Sequence, residues 1–173
     1  MLGGASKMTD AFMKALRRLA EVSFARGGLA ALILLSFVGG SAFSQDPSVG
    51  PREKFRWPLR GPLVQPFKSG ETDGIDIAAP VGEPVHAAAD GVCIYAGDEM
   101  GTYGKLVVLR HADGFVTAYA DNSELDVKEG DRVRRGQVIA KSGESGEVSS
   151  PRLHFELRKD GKPVDPTPYL APL

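Results

Sequence analysis

The stretch Ser150-Pro151-Arg152-Leu153-His154-Phe155-Glu156-Leu157-Arg158 decides the fold. It alternates strictly, with Leu153, Phe155 and Leu157 on one side and Arg152, His154, Glu156 and Arg158 on the other. A period of two marks a strand with one buried face. The opposite face carries a histidine with an arginine two positions before it. Two histidines at that spacing would point two imidazoles the same way, as a zinc hydrolase site requires. Arginine at position 152 raises the question of whether the chain is an enzyme.

On either side of this strand, short apolar runs recur between glycine turns. They predict strands at 75–78, 85–88, 91–96, 105–110, 115–120, 125–127, 132–133, 137–141 and 152–158. The 21 glycines and 12 prolines suit a chain of many turns. Residues 55–67 mix aromatics with prolines, as an edge or broken strand does. No stretch after residue 45 has the pattern of a long amphipathic helix, so the domain is expected to be all-β.

The chain also echoes itself. Gly82-Glu83-Pro84-Val85 followed by Gly91 to Gly97 resembles Gly130-Asp131-Arg132-Val133 followed by Gly136 to Gly143. Leu106 to Arg110 with Asp113-Gly114 matches Leu153 to Leu157 with Asp160-Gly161 at a constant offset of 47. The expected architecture is a two-unit antiparallel β-sandwich, a duplicated motif in which each unit covers the other's apolar face.

The 173 residues suffice for one domain plus an appendage. A 42% hydrophobic content is ordinary for a globular chain and too low for a membrane bundle. Net charge is −1 and no basic run exceeds two residues, which argues against nucleic acid as a partner. The single cysteine, Cys93, permits no internal disulfide and reads as a small core residue.

The beginning of the chain differs. Lys7, Lys14, Arg17, Arg18 and Arg26 precede an apolar run from Gly28 to Val38, and Ala42-Phe43-Ser44 follows as a small-x-small cleavage site. Residues 1–44 are therefore expected to form a helical signal peptide or an uncleaved N-terminal anchor, and the chain to be exported to the periplasm. A membrane contact is expected only if the segment stays uncleaved. Residues 45–54 would be a linker and 55–173 the domain. The first 44 residues hold five basic and two acidic side chains; the rest holds 16 and 20, a net charge near −4.

Three places put polar side chains on strands. Thr72, Gly74 and Asp76 share a face opposite Ile75 and Ile77; Thr117, Tyr119 and Asp121 share another; Arg152 and His154 make the third. If these strands are neighbours, Thr72, Asp76, Tyr119, Asp121, Arg152 and His154 meet in one groove. Asp73 lies one position off and is expected to face away. Blander readings stand beside this one: His154 as a hydrogen-bonded strand histidine, Asp76 as a loop anchor, His111 as a turn residue and His86 as a strand-surface residue.

Several separated stretches, in order, look like the LytM (lysostaphin-type) zinc endopeptidase domain. They are Gly74-Ile75-Asp76-Ile77-Ala78-Ala79-Pro80, Ala88-Ala89-Asp90-Gly91-Val92, Tyr103 to His111, and Leu153 to Arg158 through Pro163-Val164-Asp165-Pro166. The resemblance covers about residues 55–173. It implies zinc ligands at the positions of Thr72, Asp76 and His154, and two assisting histidines at the positions of Asp121 and Arg152. Two of three metal positions are kept and neither assisting histidine is. A catalytic zinc needs about three protein ligands and an open water position, so no catalytic residue and no bound zinc are expected. Arg152 is expected to pair with Asp76 or Asp121.

The degenerate pattern resembles the non-catalytic LytM factors of the NlpD and EnvC kind. This implies binding and activation of a periplasmic peptidoglycan amidase, or another cell-wall hydrolase, in wall remodelling and cell division, with the groove as the partner site. The alternatives are an active zinc endopeptidase cutting peptidoglycan cross-links and a passive peptidoglycan-binding module. Val127 to Gln137 also resembles lipoyl and biotinyl carrier domains, but no Met-Lys-Met or Asp-Lys-Ala tripeptide offers a lysine for modification.

Overall fold

The structure, a computed structural model, describes residues 54–172. The expected signal segment at 1–44, nearly all of the linker and Leu173 lie outside these residues. Eleven strands follow in order: β1 (Leu63–Gln65), β2 (Ile75–Ala78), β3 (Pro84–His86), β4 (Gly91–Gly97), β5 (Lys105–Arg110), β6 (Phe115–Asn122), β7 (Glu124–Leu125), β8 (Arg132–Val133), β9 (Val138–Lys141), β10 (Arg152–Lys159) and β11 (Lys162–Val164). Gly101–Tyr103 and Thr167–Tyr169 each form one 3-10 turn. The described residues are thus all-β, and none of their helices is long and apolar enough to cross a membrane.

The strands form two antiparallel sheets. The large one runs β1-β2-β10-β6-β5-β4-β8, with β11 on the far end of β10; the small one runs β3-β9-β7. One core cluster joins them: Ile75, Ile77, Val107, Leu109, Tyr119, Leu153, Phe155 and Leu157 from the large sheet meet Val85, Ile139 and Ala140 from the small one. Each of the largest of these side chains contributes roughly 1.5–3 kcal/mol by leaving water. The other face of the large sheet is also covered. Leu106 and Val108 alternate with Val107 and Leu109, and pack with Ile94, Tyr103, Ala118 and Ala120.

The sequence echo has a structural counterpart in exchanged pairing. β3 of the first unit pairs with β9 of the second, and β8 of the second pairs with β4 of the first. The turns interlock in the same way. Gly82 N–H donates to Ser142 O and Ser142 N–H to Glu83 O; Gly130 N–H donates to Cys93 O and Cys93 N–H to Asp131 O. Asp113-Gly114 and Asp160-Gly161 both adopt positive φ, at 55° and 72° and at 50° and 80°. Two consecutive left-handed residues close tight hairpins, which is why Asp-Gly recurs there.

Candidate functional site

The site lies on the face of the large sheet opposite the main core. β10 sits between β2 and β6, so His154 is directly across from Asp76 on one side and from Ala120 on the other. These side chains border a cleft of about 230 Å³ whose walls include Thr102, Tyr103, Asp121, Glu147 and Val148.

Asp76, 5% exposed, is held at both oxygens. His154 Nδ1 is 2.7 Å from its Oδ1, and Arg152 Nη1 donates to its Oδ2 at 3.1 Å. Arg152 is fixed in turn by Ser150, whose O and Oγ accept from Nε and Nη2 at 3.1 and 2.9 Å. Burial pushes the Asp76 carboxyl up, but the bonds from His154 and Arg152 hold it below the ordinary value.

A buried network continues along β10. His154 Nε2 lies 3.4 Å from Glu156 Oε1, which also accepts from Tyr103 Oη at 2.8 Å, and Arg158 Nε donates to Glu156 Oε2 at 2.6 Å. Glu156 and Arg158 are each 0% exposed. Burial opposes a charge on His154, yet hydrogen bonds and charge from Asp76 and Glu156 raise its pKa to about 10. Each ring nitrogen of His154 thus faces a carboxylate, Asp76 on one side and Glu156 on the other.

The expected groove is assembled in part and corrected in part. Asp76, Arg152 and His154 meet. Tyr119 does not join them: it pairs with Phe155 across the strands, so its ring points into the main core and is 0% exposed. Thr72 precedes β2 in a turn and its Oγ1 accepts the Lys68 backbone N–H at 2.7 Å, so strand alternation does not carry it to the cleft. The same reason corrects Asp73, expected to face away, whose Oδ2 lies 3.5 Å from Arg158 Nη2.

Asp121 reaches the cleft by another route than alternation. Between Asn122 and Tyr119, β6 has one residue more than β5 has between Lys105 and Val107, and Asp121 adopts φ 65°. Such a bulge re-aims a side chain that would otherwise follow Tyr119 into the core. Burial raises the Asp121 carboxyl to about 6, against the pull of His154 and Arg152.

His111 is more than a turn residue. Its Nδ1 is 2.7 Å from Asp90 O and its Nε2 2.7 Å from Thr117 Oγ1, which is 3.0 Å from Tyr119 Oη. Ala88 N–H donates to Tyr119 Oη at 2.9 Å. A carbonyl only accepts, so Nδ1 carries the proton of a neutral ring. Thr117 Oγ1 donates to Tyr119 Oη. Burial lowers the His111 pKa, in keeping with that neutral ring.

The sequence reading missed Tyr103, Glu156 and Arg158. Their signal was present, since Glu156 and Arg158 share the strand face of His154. Charged residues on a strand face ordinarily meet water, but Tyr103 of the Gly101–Tyr103 turn bonds to Glu156, and Asp73 lies against Arg158.

The donor set does not fit a zinc ion. Both Asp76 oxygens and both His154 ring nitrogens are engaged, Thr72 is turned into its loop, and a guanidinium stands where the family has an imidazole. Among the described residues no group of three or more His, Cys, Asp or Glu is placed to hold a metal.

Residues 70–166 match Peptidase family M23. The cell division protein DipM of Caulobacter vibrioides is 46% identical over 123 residues, which cover 65% of this chain and 20% of that protein. The murein hydrolase activator NlpD of Escherichia coli is 43% identical over 122 residues, covering 69% of this chain and 32% of NlpD. This chain thus spans about a third or less of the length of either of these two relatives. Among solved structures, the catalytic domain of the antimicrobial peptidase lysostaphin from Staphylococcus simulans superposes with a TM-score of 0.54 at 31% identity, covering 63% of this chain and 89% of that one.

Proposed function

The chain belongs to peptidase family M23, and from that premise we propose that it is an exported, non-catalytic member that binds and activates a peptidoglycan amidase in wall remodelling and cell division. The observation that carries this reading is the Arg152–Asp76 ion pair. A permanent cation on the one kept carboxylate ligand opposes Zn²⁺ and removes the metal-bound water that a peptidase of this family would use. Without such a water, Asp121 has nothing to activate as a base. What remains is a cleft on the sheet lined by Asp76, Asp121, Glu147 and His154 beside Tyr103, Ala120 and Val148, which suits binding.

The names of the relatives support the same reading, one being a murein hydrolase activator and another a cell division protein. Activation would be a population shift. The cleft and its rim, with Asp76, Asp121, Arg152 and His154, take up a segment of the amidase and favour its open form. A cell-envelope location follows from the export signal at 1–44, and the periplasmic face is the compartment where an amidase would be met.

The experiment compares amidase activity on purified sacculi with and without the full chain, and with Arg152→Ala. Stimulation that the substitution weakens supports the reading. Clearing of peptidoglycan by the chain alone with added Zn²⁺ would establish a peptidase instead. Sacculus binding with no effect on any amidase would establish a passive wall-binding module.

A further inference from the structure

Asp121 is 3% exposed, borders the cleft, and its carboxylate accepts no hydrogen bond from any other described residue. Its oxygens open onto the cleft rather than being sealed from it, and the surrounding burial still penalises the charge. The chain goes to some length to place it there. The β6 bulge and the left-handed backbone at residue 121 aim the side chain away from the core. Gly146 lets the following loop close over it, since a Cβ at 146 would stand 2.2 Å from Asp121 Oδ1. Arg152 and His154 attract it through space but give their hydrogen bonds to Asp76. A second carboxylate at the rim, Glu147, is in no ion pair with a described residue, so the cleft carries uncompensated negative charge.

We propose that Asp121 is the anchor for a cationic side chain, a lysine or arginine, on the amidase segment that docks in the cleft. This rests on the activator reading above and names the chemistry of the partner. The volume agrees: at about 230 Å³ the cleft is smaller than the ~300–1,000 Å³ of sites for drug-sized ligands, and has room for one long side chain. Charge complementarity at such a point sets which partner is accepted. Asp121 is then a specificity residue whose unpaired charge weakens the free fold and is relieved on docking.

The test uses the full chain carrying Asp121→Asn, with Asp121→Lys as the charge reversal. Asparagine keeps the size and tolerates a left-handed backbone. Three quantities are measured: urea stability, the concentration giving half-maximal stimulation of an amidase encoded in the same genome at low and high NaCl, and sacculus pull-down. The expected result for Asp121→Asn is stability equal to or above wild type, a half-maximal concentration raised about tenfold or more, and a flatter salt dependence. Asp121→Lys should lose stimulation. Unchanged stimulation and salt dependence in Asp121→Asn would overturn the proposal, and so would a loss of stability, which would make Asp121 structural. If sacculus binding alone falls, the cation belongs to the wall peptide and the amidase assignment fails. Absence of stimulation by the wild-type chain would instead overturn the activator reading on which the proposal stands.

Discussion

Arg152 Nη1 donates to Asp76 Oδ2 at 3.1 Å across two adjacent strands, at the side chain through which an M23 peptidase would grip its metal. The pair is mostly buried, with side-chain exposures of 18% and 7%. It places a permanent cation on one oxygen of that carboxylate.

Zinc should not bind stoichiometrically. After equilibration with excess Zn²⁺ and desalting, metal analysis is expected to find well below one zinc per chain. Arg152→His alone should not restore it, because Thr72 remains committed to the Lys68 N–H in its turn. Adding Thr72→His and Asp121→His to Arg152→His should raise zinc retention. One zinc per wild-type chain would refute the reading of the Arg152–Asp76 pair.

Glu156 should be the most sensitive polar position. It is 0% exposed and accepts from Tyr103 and Arg158. Glu156→Ala leaves Arg158 buried without its 2.6 Å partner, a change that costs about 3–5 kcal/mol. Glu156→Gln, which keeps acceptors for Tyr103 and Arg158, should cost less. Urea denaturation of the two variants measures the difference, and equal stability to wild type would show that the network is dispensable.

Acid should weaken the fold through His111. Its folded pKa is lowered, so the folded chain prefers the neutral ring while the unfolded chain binds a proton near its ordinary value. The contribution of His111 is complete above about pH 6.5 and declines as pH falls below it. His111→Gln should flatten that part of the stability curve. A curve with the same slope in both proteins would assign the acid sensitivity elsewhere.

Cys93 should behave as a core residue. It is 1% exposed and burial pushes its thiol up to about 11. A disulfide reagent at neutral pH is expected to label it only as fast as the chain unfolds, and fully in denaturant. Rapid labelling of the native chain would show an opening of β4 that the packing does not suggest.

Much of the architecture was legible in the sequence for a simple reason. Alternation with period two is a local property, and the strands at 75–78, 105–110 and 132–133 fall where it places them. β11 was passed over although the repeated Asp-Gly pair announces its hairpin, because Lys162–Val164 is too short to show a period.

The site was legible where it sits inside regular strand and obscure where it does not. Sequence by itself determined that His154 and Arg152 share a face, and it recorded the substitutions at Thr72, Asp121 and Arg152 that set this chain apart from its family's metal pattern. Only the tertiary structure decided the rest. A one-residue bulge turned Asp121 out of the core and left Tyr119 in it. A turn removed Thr72 and brought Asp73 to Arg158. The 3-10 turn at Gly101–Tyr103 brought the Tyr103 hydroxyl onto Glu156. Each of these depends on a break in periodicity or on contact between residues distant in the chain. Neither is written in local spacing, because a side chain's face is set by the backbone path and its charge state by what buries it.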